Sequence, residues 1–198
     1  MNILLAEDQN MVRSALAALL KLEGDAKVTE ACDGDAALKQ LKQGQFDLLL
    51  TDIEMPGYTG IELAEWVRDN RPELKVIIIT TFGRAGYIRR ALEAGVTGFL
   101  LKDAPIEELL DAINRVMAGR KVIDPELAMM ALGDKDPLSD KERRALRLAQ
   151  EGKSTAEIAA QLFIAEGTAR NYLSEAISKL GAANRVDAAR IAAQKGWL

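Results

Sequence analysis

One short stretch decides the fold, Leu48-Leu49-Leu50-Thr51-Asp52, an apolar run that ends in an acidic residue. A run without polar alternation is typical of a strand that is covered on both faces of a parallel sheet. Comparable runs occupy residues 3–6, 76–80 and 98–101, and residues 27–31 have the mixed pattern of a more exposed edge strand. The first half of the chain is therefore predicted to contain five strands.

Between these runs, apolar residues recur at spacings of three and four, which predicts amphipathic helices. The predicted helices span residues 11–22, 35–42, 60–69, 87–94 and 106–117. Strict alternation of strands and helices is typical of an α/β, doubly wound fold, here with a five-stranded parallel sheet. Such sheets bind ligands at the carboxyl ends of their strands, so a functional site is expected at that edge.

The alternation stops near Gly119, and the rest of the chain is organised differently. Residues 120–137 are rich in Pro, Gly and charged residues and are predicted to be a linker, with one short helical turn at 126–132. Every later segment has a helical pattern, at 139–150, 155–162, 166–180 and 185–195. The sequence thus predicts two domains, residues 1–119 and a separate all-α, four-helix domain at 138–198.

Composition excludes several classes of site. The 198 residues include no His and one Cys. Without histidine the chain has no Ser-His-Asp or Cys-His nucleophilic site and no His-ligated metal. Cys32 alone forms no intramolecular disulfide and is expected to be a small buried core residue. Because neither a signal peptide nor an apolar run of the roughly 18 residues needed to span a membrane is found, a cytoplasmic protein that is not inserted in a membrane is expected.

Charge distinguishes the two halves. Residues 138–198 carry 10 Lys and Arg against 7 Asp and Glu, whereas residues 1–137 carry 16 against 23. A basic domain is attracted to nucleic acid and an acidic domain is repelled by it, so the two halves are predicted to have different partners.

Acidic side chains follow two strands that are expected to be neighbours. Glu7 and Asp8 follow the first strand and Asp52 follows the third, so three carboxylates are predicted to converge in one crevice, where they suit Mg²⁺. Thr80 and Lys102 follow the next two strands and add a hydroxyl and an ammonium group. This set suits a carboxylate that attacks phosphorus while Mg²⁺ and the ammonium neutralise charge. Asp52 is the predicted nucleophile because it lies centrally.

Other interpretations stay open at this point. Asp8 or Asp52 taken alone is also explained as a turn-forming or helix-capping acid. For the whole set, one alternative is a Mg²⁺-dependent phosphohydrolase that turns over an aspartyl phosphate, which needs an additional general acid or base. The other is a constitutive DNA-binding regulator whose first domain is not phosphorylated and binds a protein. Nucleotide binding is disfavoured because no glycine-rich phosphate loop follows a strand.

The predicted site resembles the receiver domain of two-component response regulators. The resemblance covers residues 2 to about 119 and rests on Glu7-Asp8, Asp52-Ile53-Glu54-Met55-Pro56-Gly57, Thr80 after an aliphatic strand, and Lys102-Asp103. It implies a flavodoxin-like sheet with strand order 2-1-3-4-5. It also implies that a sensor histidine kinase, through its phosphohistidine, donates a phosphoryl group to Asp52.

The same resemblance implies a role for each matching residue. Thr80 and Lys102 would contact the phosphoryl oxygens. On activation Thr80 would move toward the phosphoryl charge and Phe99 would move inward into the vacated volume, as a two-state switch. Mg²⁺ would be held by the side chains of Asp8 and Asp52, the backbone carbonyl of Glu54 and, through water, Glu7, which stands where many members carry Asp.

In the second half, the segments 155–162 and 166–180 have the pattern of a helix, a tight turn and a second helix. The second helix has an apolar face and leaves a polar face that includes Thr168, Arg170, Asn171, Ser174 and Lys179. Such a face fits the DNA major groove, where Arg suits guanine and Asn suits adenine. The alternative is the solvated face of a small helical bundle.

Residues 138–198 as a whole resemble the LuxR-type DNA-binding domain of NarL/FixJ-family regulators. The resemblance rests on Leu138-Ser139-Asp140-Lys141-Glu142, Thr168-Ala169-Arg170-Asn171-Tyr172-Leu173 and Asn184-Arg185-Val186-Asp187-Ala188-Ala189. Ala165 departs from it, since a capping Ser or Thr is usual there, and so does Tyr172, where His is common. The resemblance implies that the last helix pairs two domains on DNA. The residues involved, for which core packing is the alternative role, are Arg185, Ala188, Ala189, Ile191 and Ala192.

Together these features predict a response regulator that is not an enzyme, because Asp52 would catalyse only its own phosphoryl transfer and dephosphorylation. Phosphorylation by the kinase is predicted to promote a homodimer that binds double-stranded DNA with two-fold half-sites, and RNA polymerase is a further candidate partner. Segments such as Glu7-Asp8-Gln9, Thr80-Thr81-Phe82 and Gly196-Trp197-Leu198 are similar to DesR-type regulators, which adjust membrane lipid composition, and imply lipid genes as targets.

Overall fold

The computed structural model describes residues 1–24, 26–81, 85–123, 128 and 136–198. The chain divides into two compact units, the first made of Met1–Gly83 and Tyr87–Leu132 and the second of the remaining residues. The division after residue 132 falls within the predicted linker, whose boundaries stay a prediction. The helical turn predicted at 126–132 lies outside the described residues, apart from Ala128.

Strands and helices alternate in the first unit. The strands are β1 Asn2–Ala6, β2 Lys27–Ala31, β3 Leu48–Asp52, β4 Lys75–Thr80, β5 Gly98–Leu101 and β6 Val122–Ile123. The helices are α1 Asn10–Gly24, α2 Gly34–Gln43, α3 Gly60–Asn70, α4 Ala85–Glu93 and α5 Ile106–Met117. All neighbouring strands are parallel, in the order β2-β1-β3-β4-β5-β6. The α/β doubly wound fold and the order of the five predicted strands are confirmed.

The sixth strand was not predicted. Val122 and Ile123 were assigned to the linker, yet they pair with Gly98 and Phe99 of β5 and extend the sheet. Two residues are too few to show a period in the sequence, and the glycine turn at Gly119 makes the preceding helix look like the end of the domain. The sheet therefore continues a few residues beyond the predicted end of the first domain.

Two apolar layers cover the sheet, one on each face. Leu49 of β3 packs with residues of α2, α3 and α4, whereas Leu48 and Leu50 pack with residues of α1 and α5. Successive side chains of a strand point to opposite faces, so a strand covered on both sides must be apolar throughout. The layers leave the carboxyl ends of the strands as the place where polar side chains gather.

Cys32 is not a core residue, and this prediction was wrong. The side chain is exposed, and its Sγ donates to Oδ2 of Asp33 at 3.4 Å. The reason is its position, because β2 is an edge strand that ends at Ala31 and Cys32 lies in the turn before α2.

The second unit is helical, as predicted. Its helices are α6 Asp140–Gln150, α7 Thr155–Gln161, α8 Glu166–Leu180 and α9 Arg185–Gln194. Leu146, Ile158, Leu173 and Trp197 are among the side chains of its shared core. The predicted capping box that begins α6 is confirmed, since Ser139 accepts from the Glu142 N–H and Glu142 accepts from the Ser139 N–H. None of the described helices is long and apolar enough to cross a membrane.

Helix α8 begins without a side-chain cap, which leads to a first prediction. Ala165 occupies the N-cap in extended backbone geometry, whereas Ser139, Ser154 and Asn184 each cap a helix of this unit with a side-chain oxygen. Ala165→Ser is therefore expected to raise the free energy of unfolding of the second unit by about 1 kcal/mol, measured by urea denaturation. Ser154→Ala is the matched opposite change and should lower it by a similar amount. An unchanged value for Ala165→Ser would show that solvent already satisfies this helix end.

Candidate functional site

The carboxyl ends of the central strands bring the predicted cluster together. Glu7 follows β1, Asp52 ends β3, and Lys102 follows β5. Nζ of Lys102 lies 2.7 Å from Oε2 of Glu7 and 2.8 Å from Oδ2 of Asp52. One ammonium group thus reaches past the end of β4 and joins two buried carboxylates that belong to different strands.

Asp52 is held by a donor at each carboxylate oxygen. Oδ1 accepts from the Ile53 N–H at 2.7 Å, and Oδ2 accepts from Lys102. Burial raises the pKa of Asp52 above its ordinary value, and the charge of Glu7 adds to this, against the opposing contacts with Lys102 and Ile53. The site therefore contains a poorly solvated carboxylate whose two oxygens have fixed directions.

Lys102 is charged in this setting. Burial by itself lowers the pKa of Lys102, but the contacts with Asp52 and Glu7 outweigh it, and the net shift is upward. The ammonium group is thus a permanent positive charge beside the oxygen at which a phosphoryl group would arrive.

The acidic cluster is suited to a divalent cation. Carboxylate oxygens of Glu7, Asp8 and Asp52 lie within 4.8 Å of one another. Three carboxylates face the single ammonium of Lys102, which leaves a surplus of negative charge. Glu7 is fully buried and Asp52 nearly so, whereas Asp8 is exposed, so one side of the cluster is open to water. Oxygen ligands with room for waters are the environment that Mg²⁺ prefers.

The segment after Asp52 carries Glu54 and contains a contact that the sequence analysis missed. The hydroxyl of Tyr87, on α4, donates to Oε1 of Glu54 at 2.7 Å. Tyr87 was counted only as an apolar position of its helix. The available signal was chemical, because a buried tyrosine hydroxyl needs a hydrogen-bond partner, but the identity of that partner depends on the fold.

The two residues of the predicted switch are both buried. Thr80 is 3% exposed at the end of β4, and its carbonyl accepts from the Lys102 N–H at 2.8 Å. Phe99 is completely buried and lies in the same core cluster as Tyr87. The ring of Phe99 is thus already inside the core, and the switching roles of these residues stay predictions.

The polar face of α8 divides into exposed and paired residues. Arg170, Asn171 and Ser174 are exposed, Thr168 is half-buried, and Arg170 contacts Glu166 one turn earlier at 3.0 Å. The turn before α8 contains Phe163, which is 95% exposed and has a φ of 55°, a left-handed conformation that is uncommon for a bulky residue. These side chains form the outward surface of a helix-turn-helix.

Lys179 is engaged within the domain. Its Nζ lies 2.8 Å from both carboxylate oxygens of Glu142, on α6. The pKa of Glu142 is lowered below its ordinary value, because the contacts with Lys179 and Ser139 outweigh the effect of burial. Lys179 therefore stabilises the packing of α6 against α8, in addition to any DNA contact.

The residues predicted to pair two domains are mostly internal. Ala188, Ala189 and Ala192 are at most 3% exposed and belong to the core of the second unit. For these three alanines the structure corrects the prediction, because a side chain buried in its own core does not meet a second copy. Arg185 and Ile191 are half-buried, and the outward face of α9 instead carries Val186, which is 70% exposed.

Both units match known families. Residues 3–114 match the response regulator receiver domain, and residues 136–192 match the LuxR family of bacterial regulatory proteins. The chain is 46% identical to the transcriptional regulatory protein DesR of Bacillus subtilis (strain 168) and 45% identical to the uncharacterized transcriptional regulatory protein YvfU of the same strain. Each match covers 99% of this chain and 98% of the relative.

A solved structure has the same organisation. RcsB from Salmonella enterica serovar Typhimurium, bound to promoter rprA in the presence of phosphomimetic BeF3⁻, is 26% identical, with a TM-score of 0.72. The alignment covers 96% of this chain and 97% of that chain.

Proposed function

The chain belongs to the two-component response regulators that join a receiver domain to a LuxR-type DNA-binding domain, and from that membership we propose that Asp52 is its phosphoacceptor and that phosphorylation controls DNA binding. The observation that supports this proposal best is Lys102 lying within 2.8 Å of both Glu7 and Asp52. That contact places a permanent positive charge at the nucleophile. A sensor histidine kinase is the partner that the receiver family implies.

The chemistry needs no proton shuttle within this chain. An oxygen of Asp52 attacks the phosphorus of the kinase's phosphohistidine, a P–O bond forms, and the P–N bond breaks as the imidazole leaves with the bonding electrons. The transferred group brings negative charge into a buried site, and Lys102 is placed to transfer its contact from Asp52 to a phosphoryl oxygen. Thr80 would donate its hydroxyl to a second phosphoryl oxygen.

The acidic cluster is proposed to hold Mg²⁺. Asp8, Asp52 and the backbone carbonyl of Glu54 would bind it directly and Glu7 through water. When bound, Mg²⁺ neutralises charge on the phosphoryl group. The surplus negative charge of the cluster supports this assignment, as does its open, exposed side at Asp8.

The test is intact mass and sedimentation velocity of the full chain with Mg²⁺ and acetyl phosphate, beside a sample with EDTA. We expect one added phosphoryl group and a shift from monomer to dimer in the first sample, and neither in the second. DNA binding that is indifferent to phosphorylation would favour the constitutive regulator. Continuous phosphate release under excess acetyl phosphate would favour the phosphohydrolase.

The proposed switch moves the surface around α4 and β5. Driving a two-state equilibrium from 1:99 to 99:1 takes about 5.5 kcal/mol of differential stabilisation. Two or three charge-assisted hydrogen bonds from Thr80 and Lys102 to the phosphoryl group, each worth about 1.5–3 kcal/mol, are sufficient. Phe99 is already buried, so its proposed part is to repack within the core rather than to enter it from solvent.

The exposed face of α8 is proposed to bind the DNA major groove through Thr168, Arg170, Asn171 and Ser174. Arg170→Ala is expected to weaken specific binding by about 5- to 150-fold, because a good base contact is worth about 1–3 kcal/mol. The measurement is fluorescence anisotropy with DNA selected from a random pool by the wild-type protein. Arg68→Ala, which removes an exposed arginine from α3, is the charge-matched control, and an equal effect of both variants would argue against base recognition by Arg170.

Pairing on two-fold DNA is proposed to use the outward face of α9, with Arg185, Val186 and Ile191, rather than its buried alanines. RNA polymerase as a partner and a cytoplasmic location stay predictions. Lipid genes as targets also stay a prediction, since DesR and the uncharacterized YvfU are equally similar to this chain, at 46% and 45% identity.

A further inference from the structure

A buried tyrosine of α4 is hydrogen-bonded to the segment that follows the phosphorylation site. Tyr87 is 4% exposed, and its ring packs in the core cluster that includes Phe99 and Ile88. Its hydroxyl donates to Oε1 of Glu54 at 2.7 Å, the length of a hydrogen bond to a charged acceptor. Because the ring is packed on all sides, the hydroxyl has a fixed position and directs the carboxylate that it binds.

The main chain around Glu54 is held independently of Tyr87. The Ile53 carbonyl accepts from the Gly60 N–H at 3.0 Å, and the Pro56 carbonyl accepts from the Gly34 N–H at 2.9 Å. These two donors lie at the N-termini of α3 and α2, so the backbone on either side of Glu54 is anchored by other helices. What the Tyr87 hydroxyl sets is therefore the direction of the Glu54 side chain.

That direction keeps the carboxylate apart from the acidic cluster. Glu54 lies only two residues after Asp52, yet within the described part of the chain the group of carboxylates that lie within 4.8 Å of one another consists of Glu7, Asp8 and Asp52. The Glu54 carboxylate is exposed at the residue level and hydrogen-bonded toward α4. A rotation about its side-chain bonds would be enough to change this arrangement.

Building on the proposed phosphorylation of Asp52, we propose that Tyr87 is a positioning residue of the phosphorylation site. Its hydroxyl holds the Glu54 carboxylate on the α4 side and keeps a fourth carboxylate out of the pocket formed by Glu7, Asp8 and Asp52.

A fourth carboxylate in this pocket would have two opposite effects. It would offer Mg²⁺ a further oxygen ligand and a further negative charge, which strengthens cation binding. It would also repel the anionic phosphodonor as this approaches Asp52, which slows transfer. General loosening of the site would instead weaken both cation binding and phosphorylation, so the combination of effects distinguishes positioning from structural damage.

The test variant is Tyr87→Phe, which removes only the hydroxyl. Mg²⁺ affinity is measured by calorimetry on the unphosphorylated full chain, and the initial rate of phosphorylation by acetyl phosphate is measured by intact mass at saturating Mg²⁺. We expect Mg²⁺ to bind about threefold more tightly and phosphorylation to slow about fivefold, as one additional screened charge would cause. Tyr58→Phe, which removes the hydroxyl of a more exposed tyrosine on the same segment, is the matched control and should resemble the wild type.

Two further variants decide the mechanism. The double variant Tyr87→Phe with Glu54→Gln is expected to reverse both effects, because a neutral amide neither attracts Mg²⁺ strongly nor repels the donor. Glu54→Asp leaves the core untouched, and its shorter side chain is expected to miss the Tyr87 hydroxyl and to reproduce both effects. It therefore answers the question if Tyr87→Phe folds poorly.

The proposal is overturned if Tyr87→Phe matches the wild type, if both Mg²⁺ binding and phosphorylation weaken, or if Glu54→Gln fails to reverse the changes. A wild-type chain that acetyl phosphate does not phosphorylate would contradict the proposed function alone. In that case the Mg²⁺ titration still decides whether Tyr87 positions Glu54.

Discussion

Asp52→Asn is expected to abolish phosphorylation by acetyl phosphate and, with it, the phosphorylation-dependent dimer. The amide has nearly the size of the carboxylate and still accepts from Ile53 and Lys102, but it is not a nucleophile toward phosphorus. Intact mass after incubation with Mg²⁺ and acetyl phosphate should show no added phosphoryl group. Sedimentation velocity should show a monomer under the conditions in which the wild type dimerises.

Loss of folding is not an expected explanation for this variant. Burial raises the pKa of Asp52, so the ionised carboxylate is less stable in the folded protein than in water, and a neutral side chain removes that cost. The melting temperature of Asp52→Asn should therefore equal or exceed that of the wild type. Asp69→Asn, at an exposed carboxylate of α3, is the control and should be phosphorylated normally. A phosphoryl group found on Asp52→Asn would move the acceptor role to a neighbouring carboxylate, such as Asp8.

Arg143→Ala is expected to unfold the DNA-binding domain and leave the receiver domain intact. The buried guanidinium of Arg143 donates to the Trp197 carbonyl at 2.8 Å and to Oδ1 of Asp140 at 2.6 Å, and it also contacts Asp136 and the Leu138 carbonyl. Breaking a buried ion pair on one side costs about 3–5 kcal/mol, because the remaining charge loses its partner. A domain of this size has a total stability of about 3–9 kcal/mol, so the loss is decisive.

The measurement for Arg143→Ala has two parts. Urea denaturation followed by circular dichroism should lose the transition of the second domain, and DNA binding should disappear with or without phosphorylation. Phosphorylation of Asp52, followed by intact mass, should continue at the wild-type rate. Lys141→Ala, an exposed position on the same helix, should change the free energy of unfolding by no more than about 0.5 kcal/mol. Equal unfolding midpoints for the two variants would show that the Arg143 contacts contribute little.

Local patterns were sufficient to predict most of the fold and the core of the site. Apolar runs and helical spacings follow from which residues share a face, and they predicted five strands in the observed order and the four helices of the second domain. Glu7, Asp52 and Lys102 were predicted to meet because parallel strands bring their carboxyl ends to one edge of a sheet. That inference required only the position of each residue at the end of a strand.

Other features depend on which faces meet. The apolar spacing of α9 does not say whether Ala188 and Ala192 face their own core or a second copy of the chain, and packing against α6 and α8 placed them in the core. Lys179 lies on the polar face of α8 and was predicted to contact DNA, but Glu142 of α6 lies within its reach. Cys32 and β6 were misassigned because the position of an edge strand is a property of the whole sheet.

The sequence by itself determined the two-domain α/β and all-α organisation, the acidic crevice and its ammonium group, because these follow from periods and strand ends that are local in the chain. Only the tertiary structure decided that Tyr87 binds Glu54, 33 residues away, that Lys179 binds Glu142, and that the alanines of α9 are internal. The physical reason is that a buried polar atom must find a partner across element boundaries. Which partner it finds is set by the packing of helices and strands that are distant in sequence.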